Sequence, residues 1–387
     1  MPREVDVIVV GAGPAGCAAA YDLAKSGVEA LILEKRNFPR TKPCGGALTT
    51  KAVKALRFSI APVIRVVVTD FVAAREFTKS KRLRSRYPVG AMTVREELDD
   101  FVLHQTIAAG ATMQKIDRLL EITSDDESVT VKLESGSIRA KFLIGADGAN
   151  SSVRHLIDAN EQVQFGFAIE AQVKGHAVDP AMIFDFGMVP RGYGWIFPKG
   201  DHYNVGLYTY DARFGIMPGQ LRAYVKQKAL AADCEHVVGH PLGLGGWRHA
   251  PDRKRIFLVG DAAGLCEPLL GEGIYYAISS GQMAAAAVTA ELKEGKSACQ
   301  SFRRSLDSLR ADLRFSSALA MRFYRDLGLG CLGLTATPLH YVLMKAYSLG
   351  IPLGEIPRNL PLLPFRRVTP PPDLCQRSSL PAAGSGR

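Results

Sequence analysis

Short apolar runs and helical stretches alternate from the start of the chain. Val7-Ile8-Val9-Val10 is continuously apolar, as a strand covered on both faces must be. It runs into Gly11-Ala12-Gly13-Pro14-Ala15-Gly16, then a helical stretch from Cys17 to Ser26, a stop at Gly27 and a second apolar run, Ala30-Leu31-Ile32-Leu33. Two further runs end on a Gly/Asp pair: Phe142-Leu143-Ile144 before Gly145-Ala146-Asp147-Gly148, and Ile256-Phe257-Leu258-Val259 before Gly260-Asp261. An alanine-rich helix is expected from Ile274 to Leu292, and another begins at Arg95. Residues 163–174, 181–187, 194–198 and 203–209 alternate instead, with Phe, Val, Ile and Tyr, as half-buried strands do. Residues 60–78 read similarly, so a mixed sheet is expected. Residues 301–326 read as an amphipathic basic helix. Residues 327–344 carry no charge, but Gly328, Gly330, Gly333 and Pro338 interrupt them, which favours an interfacial or substrate-lining helix pair, or a buried core helix, over a membrane span. Residues 368–387 read as a disordered tail.

The opening unit carries the clearest chemistry. In a strand–turn–helix–strand setting, Gly11 permits the tight turn, Gly13 lets backbone amides approach a pyrophosphate and Gly16 lets helix and strand pack closely, with Pro14 and Ala15 between them. The helix N-terminus adds positive potential. The second run ends on Glu34-Lys35; Glu34 can accept from both ribose hydroxyls and would repel a 2′-phosphate, which favours FAD or NAD over NADP. Downstream pieces choose FAD. Asp261, after Gly260, can hold a ribityl hydroxyl. Gly271-Glu272-Gly273-Ile274 opens a helix whose N-terminus suits the negative edge of a reduced flavin. Arg95 can cap the pyrophosphate, and Asp147-Gly148 ends a further strand.

GAGPAG, R-x-x-L-D, GADG and VGDAAG, in this order and at these separations, resemble the flavoproteins of the p-hydroxybenzoate hydroxylase fold. Within that group, Lys42-Pro43-Cys44-Gly45-Gly46-Ala47, Tyr193-Gly194-Trp195-Ile196-Phe197-Pro198-Lys199 and Gly271-Glu272-Gly273-Ile274-Tyr275-Tyr276-Ala277 are similar to segments of the geranylgeranyl reductases. The resemblance covers residues 4–330. Cys266-Glu267-Pro268-Leu269-Leu270 is closer to archaeal lipid reductases and hydroxylases, and Leu48-Thr49-Thr50 departs from the pigment enzymes.

The resemblance implies an α/β fold with a Rossmann-type FAD-binding lobe (1–58, 88–158 and 248–298), a β-rich substrate lobe (59–87 and 159–247) and a C-terminal helical region (299–367). It implies an FAD-dependent reductase that saturates isolated C=C bonds of a geranylgeranyl or polyprenyl substrate, with hydride from the flavin and a separate proton. It also places Cys44, Gly45 and Gly46 beside the flavin as the catalytic loop. Tyr193, Trp195 and Phe197 suit the wall of an apolar channel. A thiol is a weak acid for an alkene, so Cys44 is equally readable as a small packed residue. An FAD monooxygenase and a non-catalytic isoprenoid-binding protein are the alternatives. Transient NAD(P)H or a ferredoxin-type protein is the expected electron donor.

Composition adds a location for charge. The chain is +10 overall, with thirteen basic against two acidic residues in 36–86 and twelve against five in 301–387. Both blocks together suit an anionic head group or a membrane surface touched peripherally, with Lys42, Lys81, Arg82, Arg84 and Arg86 as candidates. No nucleic-acid motif accompanies the charge. Seven scattered cysteines without CxxC spacing favour neither a disulfide framework nor a metal site. The acidic start of the chain does not read as a secretory leader, so a cytoplasmic setting is expected.

Overall fold

The strand Arg3–Val10 sits in the middle of a sheet, between Ala30–Glu34 on one side and Gly136–Gly145 on the other, all parallel. Thr112–Lys115 extends the sheet beyond Ala30–Glu34. Gly136–Gly145 is long enough for two partners: Ile256–Leu258 runs parallel to its end, and Val129–Leu133 pairs antiparallel with its start. Val7, Ile8, Val9, Leu31, Ile32 and Leu33 are all fully buried, each contributing roughly 1.5–3 kcal/mol of transfer free energy. Helix Pro14–Lys25 packs on this sheet, and helices Arg95–Ala108 and Ile274–Glu294 pack against that helix.

The computed structural model describes residues 3–75, 79–158, 163–175, 179–228, 230, 234, 236–249, 253–336 and 339–375. A second sheet runs in the order Val238–Leu244, Gln164–Lys174, His202–Thr209, Gly192–Pro198, Met182–Phe186, Asp70–Arg75, Lys79–Arg84. Its cross-strand register puts Ala168, Tyr208 and Tyr193 in one row and Glu170, Gly206 and Trp195 in the next. This face looks towards the first sheet. Ala47–Thr49, Gly90–Met92 and Val66–Val68 form a small third sheet at the junction. The segment 60–78, read as strand throughout, instead contributes one strand to each of two sheets, Val66–Val68 and Asp70–Arg75, after a short turn at Ala61–Val63.

The amphipathic stretch forms the helix Ala298–Arg325, capped at its start by Ser297. The uncharged stretch forms two helices, Leu327–Thr335 and Leu339–Leu349. Among the described residues no single helix is long and apolar enough to cross a membrane. The expected disordered tail is corrected over 368–375: Asp373 accepts from Ser59 Oγ and Ile60 N, and Val368 and Leu374 are buried. Those contacts tie the segment down; the rest of the expected tail, 376–387, lies outside the described residues.

The basic blocks meet in part. Lys81 donates to Thr335 O, Lys54 to Leu349 O, and Ser85 bonds Ser348. Lys51 is turned inward and buried, paired with Glu272 at 2.8 Å.

Candidate active site

A cavity of about 600 Å³ lies between the two large sheets. Its polar end is built by the first strand–turn–helix unit, and Gly11, Gly13, Pro14, Ala15, Glu34 and Lys35 all line it. Glu34 Oε2 accepts from Ala12 N and Oε1 from Arg36 N, both at 2.8 Å, which leaves each oxygen a lone pair facing the cavity. Gly16 stands behind the wall: a Cβ there would lie 1.8 Å from Gly11 O, so its part is helix–strand approach. Gly260 is also behind the wall, packed on Ala15 and Ala277. These two expected cofactor residues do not touch the cavity.

A Cβ at Gly13 would meet only Arg40 Nη2, at 3.6 Å. Arg40 pairs with Asp99 at 3.2 Å, yet its buried Nε has no protein partner. An open glycine amide beside a guanidinium with an unpaired buried N–H is a fitting cradle for a diphosphate. Arg95 lines the cavity too, but its guanidinium is held bidentate by Asp99 at 2.8 Å and also bonds the Cys44 side chain. Asp147 and Gly148 reach the cavity, where the Asp147 carboxylate is occupied by Ser151 Oγ at 2.6 Å, Ser152 N and Val153 N. It therefore caps the helix Ser152–Ile157. Asp261, Gly271, Gly273 and Ile274 line the middle of the cavity. Burial raises the Asp261 carboxyl above its ordinary range. Burial likewise brings Lys42 down to about 8, and burial with the adjoining Lys42 takes His240 down to about 3; their side-chain nitrogens are in direct contact.

The Cys44-Gly45-Gly46 loop faces the aromatic strand Gly192–Pro198. A Cβ at Gly45 would lie 2.9 Å from the Phe197 ring, so only glycine lets the loop lie flat on that wall. Lys199, at the end of the same motif, donates to Gly45 O at 2.6 Å and to Thr93 O at 2.9 Å. The two motifs are thus joined by one buried side chain, which burial brings down to about 7. Trp195 Nε1 donates to Asn204 Oδ1 at 2.7 Å, and Asn204 and the Cys44 amide both hydrogen-bond Glu170.

Tyr193, Trp195 and Phe197 line the apolar end with Phe71, Phe184 and Tyr347. The polar tip of Tyr193 is not free: it donates to Leu270 O at 2.5 Å. Tyr208 donates to Pro268 O and Tyr324 to Leu269 O. Three consecutive carbonyls of one loop are therefore held by three tyrosines, while Glu267 accepts from Leu269 N and Leu270 N. Burial pushes Glu267 up to about 7. Cys266 is buried at the cavity wall.

Of the five proposed head-group ligands, Lys42 alone lines the cavity. Arg82 is paired with Asp70 and Asp179, Lys81 bonds Thr335 O, Arg86 lies over Tyr87, and Arg84 is largely exposed. Sequence reading missed Arg40, Glu170, Lys199 and His240 as wall or loop-holding residues. Lys199 stood inside a quoted motif; for Glu170 the only signal was its alternation on an expected strand, and His240 lies on a strand, Val238–Leu244, that the sequence did not mark.

Residues 4–185 match the family model described as FAD binding domain. An uncharacterized protein of Methanosarcina barkeri is 33% identical over 356 residues, covering 91% of this chain and 89% of that one. The chloroplastic geranylgeranyl diphosphate reductase of Arabidopsis thaliana is 32% identical, covering 76% of this chain and 68% of that one. The menaquinone reductase of Mycolicibacterium smegmatis is 29% identical, covering 75% and 77%. Among solved structures, a geranylgeranyl bacteriochlorophyll reductase-like protein of Thermoplasma acidophilum superposes with a TM-score of 0.77 at 21% identity, covering 94% of this chain and all of that one. A halogenase solved with phloroglucinol and FAD gives a TM-score of 0.70 at 17% identity, covering 93% and 83%. These structural likenesses establish the fold, that of the p-hydroxybenzoate hydroxylase-like flavoproteins.

Proposed function

The chain belongs to the geranylgeranyl reductase family of FAD-dependent oxidoreductases, and from that premise we propose that it saturates isolated C=C bonds of a geranylgeranyl or polyprenyl substrate. The carrying observation is that the Cys44–Gly46 loop packs directly on the Tyr193–Phe197 wall, and both line one cavity continuous with the diphosphate cradle. Gly11, Gly13 and Arg40 would hold the diphosphate of FAD, Glu34 its adenosine ribose, and Asp261 its ribityl chain. Reduced FAD supplies the hydride. The aromatic wall excludes water from the reacting carbons and offers flat apolar surface to an isoprene chain. Lys199 keeps the Cys44 loop against that wall. Transient NAD(P)H or a ferredoxin-type protein serves as the electron donor.

A peripheral contact with an anionic membrane completes the reading. It is supported by Leu329, Leu332, Leu339 and Tyr341, exposed on the helices Leu327–Thr335 and Leu339–Leu349; Lys81 bonds the end of the first, and the strand that carries the exposed Arg84 packs on the second. Tyr347 of the second helix also lines the apolar end of the cavity, so this helix separates that end from the outside. The test of the reaction is anaerobic incubation of dithionite-reduced, FAD-loaded protein with geranylgeranyl diphosphate and with geranylgeranylated pigment and lipid, followed by mass spectrometry. Products heavier by two hydrogens per bond are expected; unchanged substrate across all head groups refutes the proposal.

A further inference from the structure

Saturating a C=C bond with hydride always takes a proton as well; here no carbonyl conjugates with the double bond to hold its electron pair, so the proton must arrive before or with the hydride. The donor must reach the apolar end of the cavity and be a competent acid. On the cavity-facing side of the roof strands, Glu170 is the one carboxyl among the described residues; Asp185 points to the other side, bonded by Tyr224 at 2.5 Å. The register sets Glu170 in the row of Gly206 and Trp195, facing the cavity from the side opposite the nucleotide sheet.

We propose that Glu170 delivers the proton to the alkene, a role that rests on the prenyl-reduction reading above. The Glu170 O–H bond breaks heterolytically and the π electron pair of the alkene forms the new C–H bond. The neighbouring carbon receives the hydride, with its electron pair, from the reduced cofactor that the family's chemistry supplies. The carboxylate left behind regains a proton from solvent before the next turnover.

Other candidates at this end are otherwise engaged. The hydroxyls of Tyr193 and Tyr208 donate to carbonyls, and burial raises both well above the ordinary phenol. Glu272 is paired with Lys51 at 2.8 Å. A thiol such as that of Cys44 is ordinarily a far weaker acid than a carboxyl. For Glu170, burial raises the carboxyl above its ordinary range, against hydrogen bonds from the Cys44 amide and Asn204 and the charges of Lys199 and Arg95. The Lys42–His240 pair stands on the adjoining strand side. The proton is therefore present below the raised value and lost above it, so saturation slows as pH climbs through it.

The test uses FAD-loaded protein reduced anaerobically, with geranylgeranyl diphosphate as probe. Glu170→Gln is expected to keep the flavin absorption spectrum and to lower single-turnover saturation by about 100-fold or more. Glu170→Asp restores part of the rate, and the high-pH decline disappears in Glu170→Gln. Independently of turnover, infrared spectra of the holoprotein taken across a pH series should contain a protonated-carboxyl band that fades as pH rises and that Glu170→Gln removes. A Gln variant within about threefold of wild type, or no such band, overturns the assignment. An inert wild type refutes the prenyl reading instead, and the infrared band alone then decides whether Glu170 holds a proton.

Discussion

Lys199→Met tests the link between the two family motifs. Lys199 is 3% exposed, and burial lowers it to about 7 from an ordinary 10.5. Keeping that ammonium folded at neutral pH therefore costs roughly 5 kcal/mol. Unfolded, the side chain stays protonated up to about 10.5; folded, it releases its proton above about 7. Between those values the unfolded chain binds more protons, so this group's contribution to stability rises with pH. From pH 7 to pH 9 the rise is about 2 kcal/mol. The Met variant has no such group, and the other titrating residues are common to both proteins. Urea unfolding of wild type and variant at the two pH values, followed by tryptophan emission, should give a stability difference that shifts by about 2 kcal/mol in favour of wild type at pH 9. The variant should also expose Cys44 to thiol reagents faster, because Gly45 O loses its 2.6 Å donor. A stability difference that does not change with pH would falsify the burial argument.

Gly13→Ala should leave the apoprotein stable and weaken FAD binding by tenfold or more, since its Cβ meets only Arg40; Gly16→Ala should instead destabilise the fold by several kcal/mol, because its Cβ would fall 1.8 Å from Gly11 O. Thermal unfolding and flavin titration separate the two, and equal effects would refute the distinction. Tyr193→Phe should cost about 1 kcal/mol through the lost bond to Leu270 O, without abolishing turnover, whereas a complete loss of product would return its hydroxyl to the chemistry. Flotation with anionic vesicles should carry the wild type, and Leu329→Ser with Leu332→Ser should reduce the bound fraction at least fivefold; binding to neutral vesicles alone would contradict the charge argument.

The nucleotide half was legible because its signals are local. A buried strand, a glycine turn and an acid at the end of the next strand follow one another within thirty residues, and each glycine has its own steric reason. Four of the seven roof strands were legible from alternation, and their observed spans, Gln164–Lys174 to His202–Thr209, follow the expected segments closely; the edge strands Val238–Leu244 and Lys79–Arg84 were not marked. Glu170 was not, because its setting depends on residues far along the chain: Gly206 and Trp195 lie beside it only through pairing of three strands. Lys199 precedes Gly200-Asp201 and reads locally as a turn residue; burial appears only once Thr93 and Gly45 close over it. The segment 368–375 looked unstructured because its prolines conceal two anchors, the buried Leu374 and Asp373, whose carboxylate finds its partners some three hundred residues away.

The three tyrosines on the 268–270 carbonyls bear on how this scaffold can be diversified. Two come from the roof and one from the C-terminal helix Ala298–Arg325, while the loop itself leads into the helix starting at Ile274. Chimeras that exchange the second sheet among relatives therefore cannot be spliced at the ends of its strands alone. A transplanted roof must bring Tyr193 and Tyr208 with a matching Pro268–Leu270 segment and the helix bearing Tyr324, or the donor and acceptor sets of the two parents will not correspond.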